Sequence, residues 1–283
     1  MKRIILIVLV IVALVGLSAA LLPAKNSSVR EAPVQSYTAL GDSVAAGVGL
    51  TPDSDSSACD RTDQSYPHQL AATLHYKLSS HACSGATFAA GIIGSQEVNK
   101  LALPTQIKQL YNDPKPALIT LTVGANDIEW TKFLANCYAS VCGSDADTAT
   151  VSAKLTLIGD NLRATLDQIH SHYAPATPPL VLVTGYHQVF PSGTANCSDL
   201  TNIDPSELAW GRKLQSNLNE SLSAAVAGSS FAHFVAIDFG GHELCTATPW
   251  VQGLNDKQPY HPTELGQRAF AEQLAATIKS LKK

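Results

Sequence analysis

The chain has 283 residues, with 19 Lys and Arg against 23 Asp and Glu, giving a formal net charge of -4. Only 15% of its residues are charged while 45% are hydrophobic, a balance that excludes disorder and supplies apolar material for one large domain. A slightly acidic chain without a basic run lacks the Lys and Arg footprint that neutralises phosphates, so nucleic acid is not an expected partner.

Lys2 and Arg3 precede an uncharged apolar stretch over residues 4–24, the pattern of an export signal. Ser18-Ala19-Ala20 offers the small residues of a cleavage site, yet the stretch is also long enough to cross about 30 Å of hydrocarbon as an anchor. The expectation is a chain outside the cytoplasm, secreted after cleavage or held at a membrane by residues 4–24, with cleavage the favoured reading. Residues 25–35 show no hydrophobic periodicity and read as a linker, which leaves 36–283 as the folded domain.

Within that domain, short apolar runs alternate with longer helical patterns. The runs Ser36 to Leu40, Lys77 to Ala82, Ala117 to Val123, Leu180 to Thr184 and His233 to Ile237 predict strands, several of them apolar throughout, as parallel strands covered on both faces are. Helices are predicted over Tyr66 to Tyr76, Ile128 to Asn136, Thr148 to His172, Pro205 to Ala227 and Thr263 to Leu281. In the last, Leu265, Ala269, Phe270, Leu274, Ile278 and Leu281 are expected on one apolar face. The rhythm implies an α/β fold: a doubly wound, mostly parallel five-stranded sheet with helices on both faces, whose ligand site lies at the carboxyl ends of the strands.

The six cysteines, Cys59, Cys83, Cys137, Cys142, Cys197 and Cys245, are an even set in a chain bound for an oxidising compartment. No pair has the C-x-x-C spacing of zinc sites, so disulfides are expected and metal is not; the residues alone leave the pairing open.

Four motifs fall just after predicted strands or open a helix. Gly41-Asp42-Ser43 follows the first strand and presents a Ser at a strand-to-helix turn, where a nucleophile can be exposed among backbone N–H groups. Cys83-Ser84-Gly85-Ala86-Thr87 follows the second, Gly124-Ala125-Asn126-Asp127 follows the third, and Tyr260-His261-Pro262-Thr263 opens the final helix. Ser43 and His261 are the hydroxyl and base that acyl transfer needs. The backbone N–H groups of Ser43 and Gly85 and the amide of Asn126 are candidate donors to the oxygen that becomes negative. Gly85 suits that place because an absent side chain lets substrate approach the backbone. Asp42 and Asp127 are read as acceptors that organise their loops.

As an ordered set, these motifs resemble the four blocks of the SGNH hydrolases, also called the GDSL family, with Ser43, Gly85, Asn126 and His261 at the named positions. Cys59-Asp60-Arg61 with Tyr66-Pro67, Thr120 to Asp127 with Phe133 and Cys137, Gly185-Tyr186, Gly241 to Cys245, and His261-Pro262 with Gly266-Gln267 extend the likeness. They point toward a secreted, disulfide-bonded branch similar to actinobacterial esterases and lipases. The resemblance covers roughly residues 36 to 278. It implies a serine esterase or lipase working through an acyl-enzyme without metal or organic cofactor, and the pairings Cys59–Cys83, Cys137–Cys142 and Cys197–Cys245. The expected partner is an ester substrate: a lipid, a short-chain acyl ester or an acetylated glycan. A monomer is expected. A polysaccharide or cell-wall O-acetyl esterase is the rival on the same scaffold, and a non-catalytic envelope binding module the rival from another class.

Two departures stand out. Many SGNH hydrolases carry an Asp three residues before the catalytic His, where this chain has Gln258. The expected orienting group for His261 is therefore the backbone carbonyl of Gln258, with Asp256 as the alternative. His187 stands where the branch usually has Pro, and is expected at the rim of the site. Among the rest, His170 and His172 point to different helix faces and do not form a metal pair. His242 is read as supporting a disulfide-held loop, and Trp250 as a candidate wall of an acyl pocket.

Overall fold

Tyr37-Thr38-Ala39-Leu40 lies within β1 (Ser36–Gly41) in the computed structural model, which describes residues 34–51, 58–192 and 197–282. Then come β2 (Lys77–Ser80), a short hairpin of β3 (Gln96–Val98) and β4 (Leu101–Leu103), and β5 (Leu118–Thr122), β6 (Leu180–Thr184) and β7 (Ala232–Val235). The helices are α1 (Ser43–Ala46), α2 (Tyr66–Leu74), α3 (Gln106–Asn112), α4 (Trp130–Ala139), α5 (Asp145–Tyr173), α6 (Pro205–Val226) and α7 (Glu264–Leu281). All described residues fall in one unit, Val34–Lys283. The leader over 1–24 and most of the linker over 25–35 lie outside them.

The five predicted strands form one parallel sheet in the order β2-β1-β5-β6-β7. From β1 the chain moves outward to β2 and then returns to place β5 on the other side of β1. The strand order reverses there, and a crevice opens between the loops that follow β1 and β5. Every side chain of β5 is buried, so helices cover both faces of the sheet centre. Helix α2 packs against α7, and α5 against α6.

The centre is less apolar than its sequence suggests. Thr120 and Thr122 of β5 bury hydroxyls, and these are paired: Tyr37 Oη meets Thr120 Oγ1 at 2.7 Å, and Thr122 Oγ1 meets both Tyr66 Oη and Thr184 Oγ1 at 2.7 Å. A buried hydroxyl with a partner avoids the cost of lost hydration, so these threonines bind helix α2 and strand β6 to the sheet.

Helix α5 starts at Asp145 rather than Thr148. Ser144 Oγ accepts the Asp147 N–H while the Asp147 carboxylate accepts the Ser144 N–H at 3.0 Å, a reciprocal cap that begins the helix earlier. In α7, Ala269, Phe270, Leu274 and Ile278 are buried, with Phe270 stacked on Tyr66 at 5.1 Å. Leu265 and Leu281 are not buried with them: they are 49% and 42% exposed. At about 100° per residue Leu265 falls on the side opposite Leu274, and Leu281 sits in the last turn, beyond the core.

The hairpin and α3 have no counterpart among the predicted elements. Strands of three residues are too short to show alternation, and the turn between them uses Asn99 and Lys100, both at positive φ (52° and 66°), without the usual glycine. The disulfides are Cys59–Cys83, Cys137–Cys142 and Cys197–Cys245. Among the described residues no helix is long and apolar enough to cross a membrane.

Candidate active site

Ser43 opens α1 directly after β1. Gly41 makes the turn possible: its φ is +145°, and a Cβ there would lie 2.4 Å from the Thr122 carbonyl oxygen, so only glycine lets β1 turn this close to β5. Asp42 caps the helix by accepting the Val44 N–H on Oδ1 at 2.9 Å. As the first helical residue Ser43 has no intrahelical acceptor for its own N–H.

His261 comes from the other end of the chain, 218 positions away, yet its Nε2 lies 2.8 Å from Ser43 Oγ. Its segment is held against residues 250–252: Gln252 N–H donates to the His261 carbonyl, Tyr260 N–H to the Gln252 carbonyl and Thr263 N–H to the Trp250 carbonyl, each at 2.8 Å. The Nδ1 of His261 is 3.1 Å from the Pro259 carbonyl. A carbonyl only accepts, so Nδ1 carries the proton and Nε2 presents a lone pair to Ser43. Burial pushes the imidazole below its ordinary 6.5, opposed by the Pro259 and Gln258 carbonyls.

The expected Gln258 carbonyl acts on the ring together with that of Pro259, which is the one within 3.1 Å of Nδ1. Pro259 lies one residue beyond Gln258, whose carbonyl also takes the His261 main-chain N–H at 3.3 Å. Asp256 closes its own turn, with Oδ2 accepting the Gly253 N–H at 2.8 Å.

Asn126 lies in the turn after β5, and its Nδ2 donates to the Ala86 carbonyl at 2.9 Å, which ties the β5 loop to the turn containing Gly85. Gly85 adopts φ +78°, whereas a Cβ there would meet only Gln96 Nε2, at an ordinary 3.7 Å. Backbone conformation, rather than lack of space, requires glycine here. The N–H groups of Ser43 and Gly85 have no acceptor among the described residues. The Cys59–Cys83 disulfide lies just before Gly85, and Cys83 N–H donates to the Gly41 carbonyl at 2.9 Å, so the Ser43 and Gly85 loops are joined.

The two acidic residues organise loops, with unusual electrostatics. Asp42 Oδ2 accepts from Tyr186 Oη at 2.5 Å, and that oxygen in turn accepts the Ala125 N–H at 3.0 Å. Burial drives the Asp42 carboxyl up to about 7 against its hydrogen bonds from Tyr186 and Val44. Asp127 accepts the Phe88 N–H at 3.1 Å, and burial raises it to about 6.

Four buried glutamines, which the sequence does not single out as site residues, fasten the loops. Gln106 accepts the Gly41 N–H at 2.7 Å and donates to the Gly41 carbonyl at 2.8 Å. Gln267 accepts the Tyr66 N–H at 2.7 Å and donates to the Val44 carbonyl at 3.0 Å. Gln252 donates to the carbonyls of Val48 at 3.3 Å and Pro262 at 3.1 Å, while Gln215 donates to that of Tyr186 at 3.2 Å.

Beside Ser43 and His261 a pocket opens, with Val44, Ala125, Trp130, Tyr186, Val189 and Leu218 in its walls. Trp130 takes the place expected for Trp250, which stacks on His242 at 3.7 Å instead. His242 is fixed by that ring and by the Thr248 carbonyl, 2.8 Å from its Nδ1. His187 is a buried wall of the pocket and not its rim. Among the described residues no cluster of His, Cys, Asp and Glu could hold a metal ion.

The model of the GDSL-like lipase/acylhydrolase family matches residues 39–269. Lipase 1 of Streptomyces coelicolor is 31% identical over 255 residues, covering 86% of this chain and 87% of that protein. The crystal structure of an extracellular lipase from Streptomyces rimosus superposes with a TM-score of 0.66 at 27% identity, covering 86% of this chain and 99% of that one. Phospholipase A1 from Streptomyces albidoflavus NA297 gives 0.64 at 25% identity, with the same shares covered. With a parallel five-stranded sheet, a Ser–His pair at its switch point and a family match spanning most of its length, this chain belongs to the GDSL-like lipase/acylhydrolase family and is a carboxylic ester hydrolase.

Proposed function

We propose that the enzyme cleaves esters of lipids through an acyl-enzyme on Ser43, using a Ser–His dyad. The observation that carries this reading is the 2.8 Å contact between Ser43 Oγ and His261 Nε2 in the tautomer set by the Pro259 carbonyl. His261 takes the Ser43 proton as Oγ attacks the ester carbonyl, then passes it to the leaving alkoxide. A water activated by the same His261 releases the acid and restores Ser43. The Ser43 and Gly85 N–H groups and Asn126 Nδ2 stabilise the tetrahedral oxyanion. The apolar walls formed by Val44, Trp130, Val189 and Leu218 suit an acyl chain, and the lipase names of the relatives favour a lipid ester. A serine-directed organophosphonate tests the assignment: it labels Ser43 alone, and labelling elsewhere overturns the reading.

Two expectations follow from His261. The base acts only when neutral and its pKa is lowered, so the acid limb of kcat/KM lies below pH 6.5. A limb at or above that value would contradict the buried dyad. With a main-chain carbonyl as orienting group, Asp256→Asn keeps kcat within about threefold, since its Oδ1 still accepts the Gly253 N–H; a lost carboxylate partner would cost about 10⁴-fold instead.

The enzyme acts outside the cytoplasm in this reading, supported by the charged and apolar leader over 2–24 and by the cysteines paired as disulfides. Intact mass of the protein from its host decides the form: a chain beginning near Leu21 in the medium is expected, and an intact chain in the membrane fraction would make the leader an anchor.

A further inference from the structure

His187 follows Gly185-Tyr186 after β6 and is 3% exposed. Its Nε2 lies 3.1 Å from the carbonyl of Tyr260, the residue immediately before His261. Since that carbonyl only accepts, Nε2 carries the proton and Nδ1 is a bare acceptor. Nδ1 is fully buried and has no hydrogen-bond partner among the described residues. A buried imidazole with one nitrogen unpaired is poorly suited to packing alone, because an apolar side chain would fill the space without the lost hydration. The Nε2 contact therefore accounts for the residue.

The Tyr260 carbonyl belongs to the planar peptide whose nitrogen is that of His261, so its direction fixes the plane from which the His261 side chain rises. Tyr260 also has φ +71°, a left-handed conformation that a bulky residue keeps only when its surroundings hold it. Gln252 takes its N–H at 2.8 Å and His187 takes its carbonyl. Behind the clamp, the His187 ring lies 4.5 Å from Phe239 and 6.1 Å from Phe270, both fully buried, so it braces the loop against the core.

We propose that His187 is a positioning residue for ester hydrolysis, whose Nε2–H clamps the Tyr260 carbonyl and so holds His261 buried and aligned with Ser43. This rests on the Ser43–His261 reading. Besides His187, the ionisable groups lining the same pocket are Asp42, Tyr186, Tyr260 and His261. Asp42, Tyr186 and Tyr260 are kept in every variant below, and a displaced acid limb is assigned to His261 by the pH titration of its own ¹H–¹⁵N signals.

The test compares His187→Leu, which removes the donor, with His187→Gln, whose Nε2 has the same reach, on a soluble short-chain ester. His187→Leu lowers kcat by about 10- to 100-fold, the scale of a small misplacement of a reacting group, and leaves KM within about twofold. Its acid limb moves up toward the value of a hydrated imidazole, because the loosened loop lets water reach His261. His187→Gln restores most of kcat and returns the limb. A packing role would lower the folded fraction without moving the limb. A His187→Leu enzyme with normal kcat and limb, or equal losses in both variants, overturns the proposal. If His187→Leu does not fold, a large kcat loss in His187→Gln overturns it and near-normal kcat supports it. Long-range ¹H–¹⁵N spectra of the unmodified enzyme add a readout independent of folding: His187 is the neutral Nε2–H tautomer, and an Nδ1–H tautomer overturns the clamp. Ser43→Ala run in parallel separates the two claims, since an active Ser43→Ala enzyme refutes the underlying reading rather than the clamp.

Discussion

Ser43→Ala lowers kcat by about 10⁶-fold, the scale seen when an enzyme of this kind loses its nucleophile. The fold survives the change. Helix α1 is capped by the Asp42 carboxylate and ended by Gly47 at φ +79°, and neither depends on Ser43 Oγ. The hydroxyl lost in the mutant is bonded to His261 Nε2, while the Pro259 carbonyl still holds the other nitrogen of the ring. Thermal melting therefore stays near that of the unmodified enzyme. His261→Ala has a similar cost, and the double mutant is no worse than either single one, because base and nucleophile act as one unit. Turnover retained in folded Ser43→Ala protein would sink the acyl-enzyme mechanism.

Asn126→Ala lowers kcat by about 10²- to 10³-fold, the cost of one oxyanion donor. The amide has two hydrogens on Nδ2. One is spent on the Ala86 carbonyl at 2.9 Å, which fixes the amide before substrate arrives. In the proposed mechanism the other donates to the oxyanion, so stabilisation would need no reorganisation during the reaction. Asn126→Asp is worse than Ala, since it sets negative charge where negative charge develops. Steady-state kinetics check this: the loss falls on kcat with KM within a few-fold, and a loss confined to KM would make Asn126 a ground-state binding group.

Ser43, Asn126 and His261 are legible in the sequence because each lies where a regular element ends or begins. The five sheet strands are legible because burial on both faces leaves apolar runs. What the sequence conceals depends on contacts between distant segments. Gln106 reaches Gly41 across 65 positions and Gln267 reaches Val44 across 223, and no local periodicity marks either. Gly85 is recognisable as a special position, but its reason is a backbone angle that sequence does not display. Pro259 joins Gln258 beside the His261 ring because the path of the loop decides which carbonyls point at it. His187 is foreseen at a rim and found in a wall, since only the folded loop places it under Tyr260.

The glutamines that fasten the site are neutral. Gln106, Gln215, Gln252 and Gln267 join the Ser43, Tyr186 and His261 loops through amide-to-backbone hydrogen bonds, all in buried surroundings. Ion pairs such as Arg163–Asp160 and Arg268–Glu264 instead join helix neighbours at the exposed surface. Dissolved ions screen charges and leave such amide bonds intact, even at 1 M, where the screening length is about 3 Å. The alignment of Ser43 with His261 is thus expected to be decoupled from ionic strength, with the same geometry in brine and in dilute buffer. Any dependence of the rate on salt then reports how the ester reaches the pocket rather than how the pocket is held.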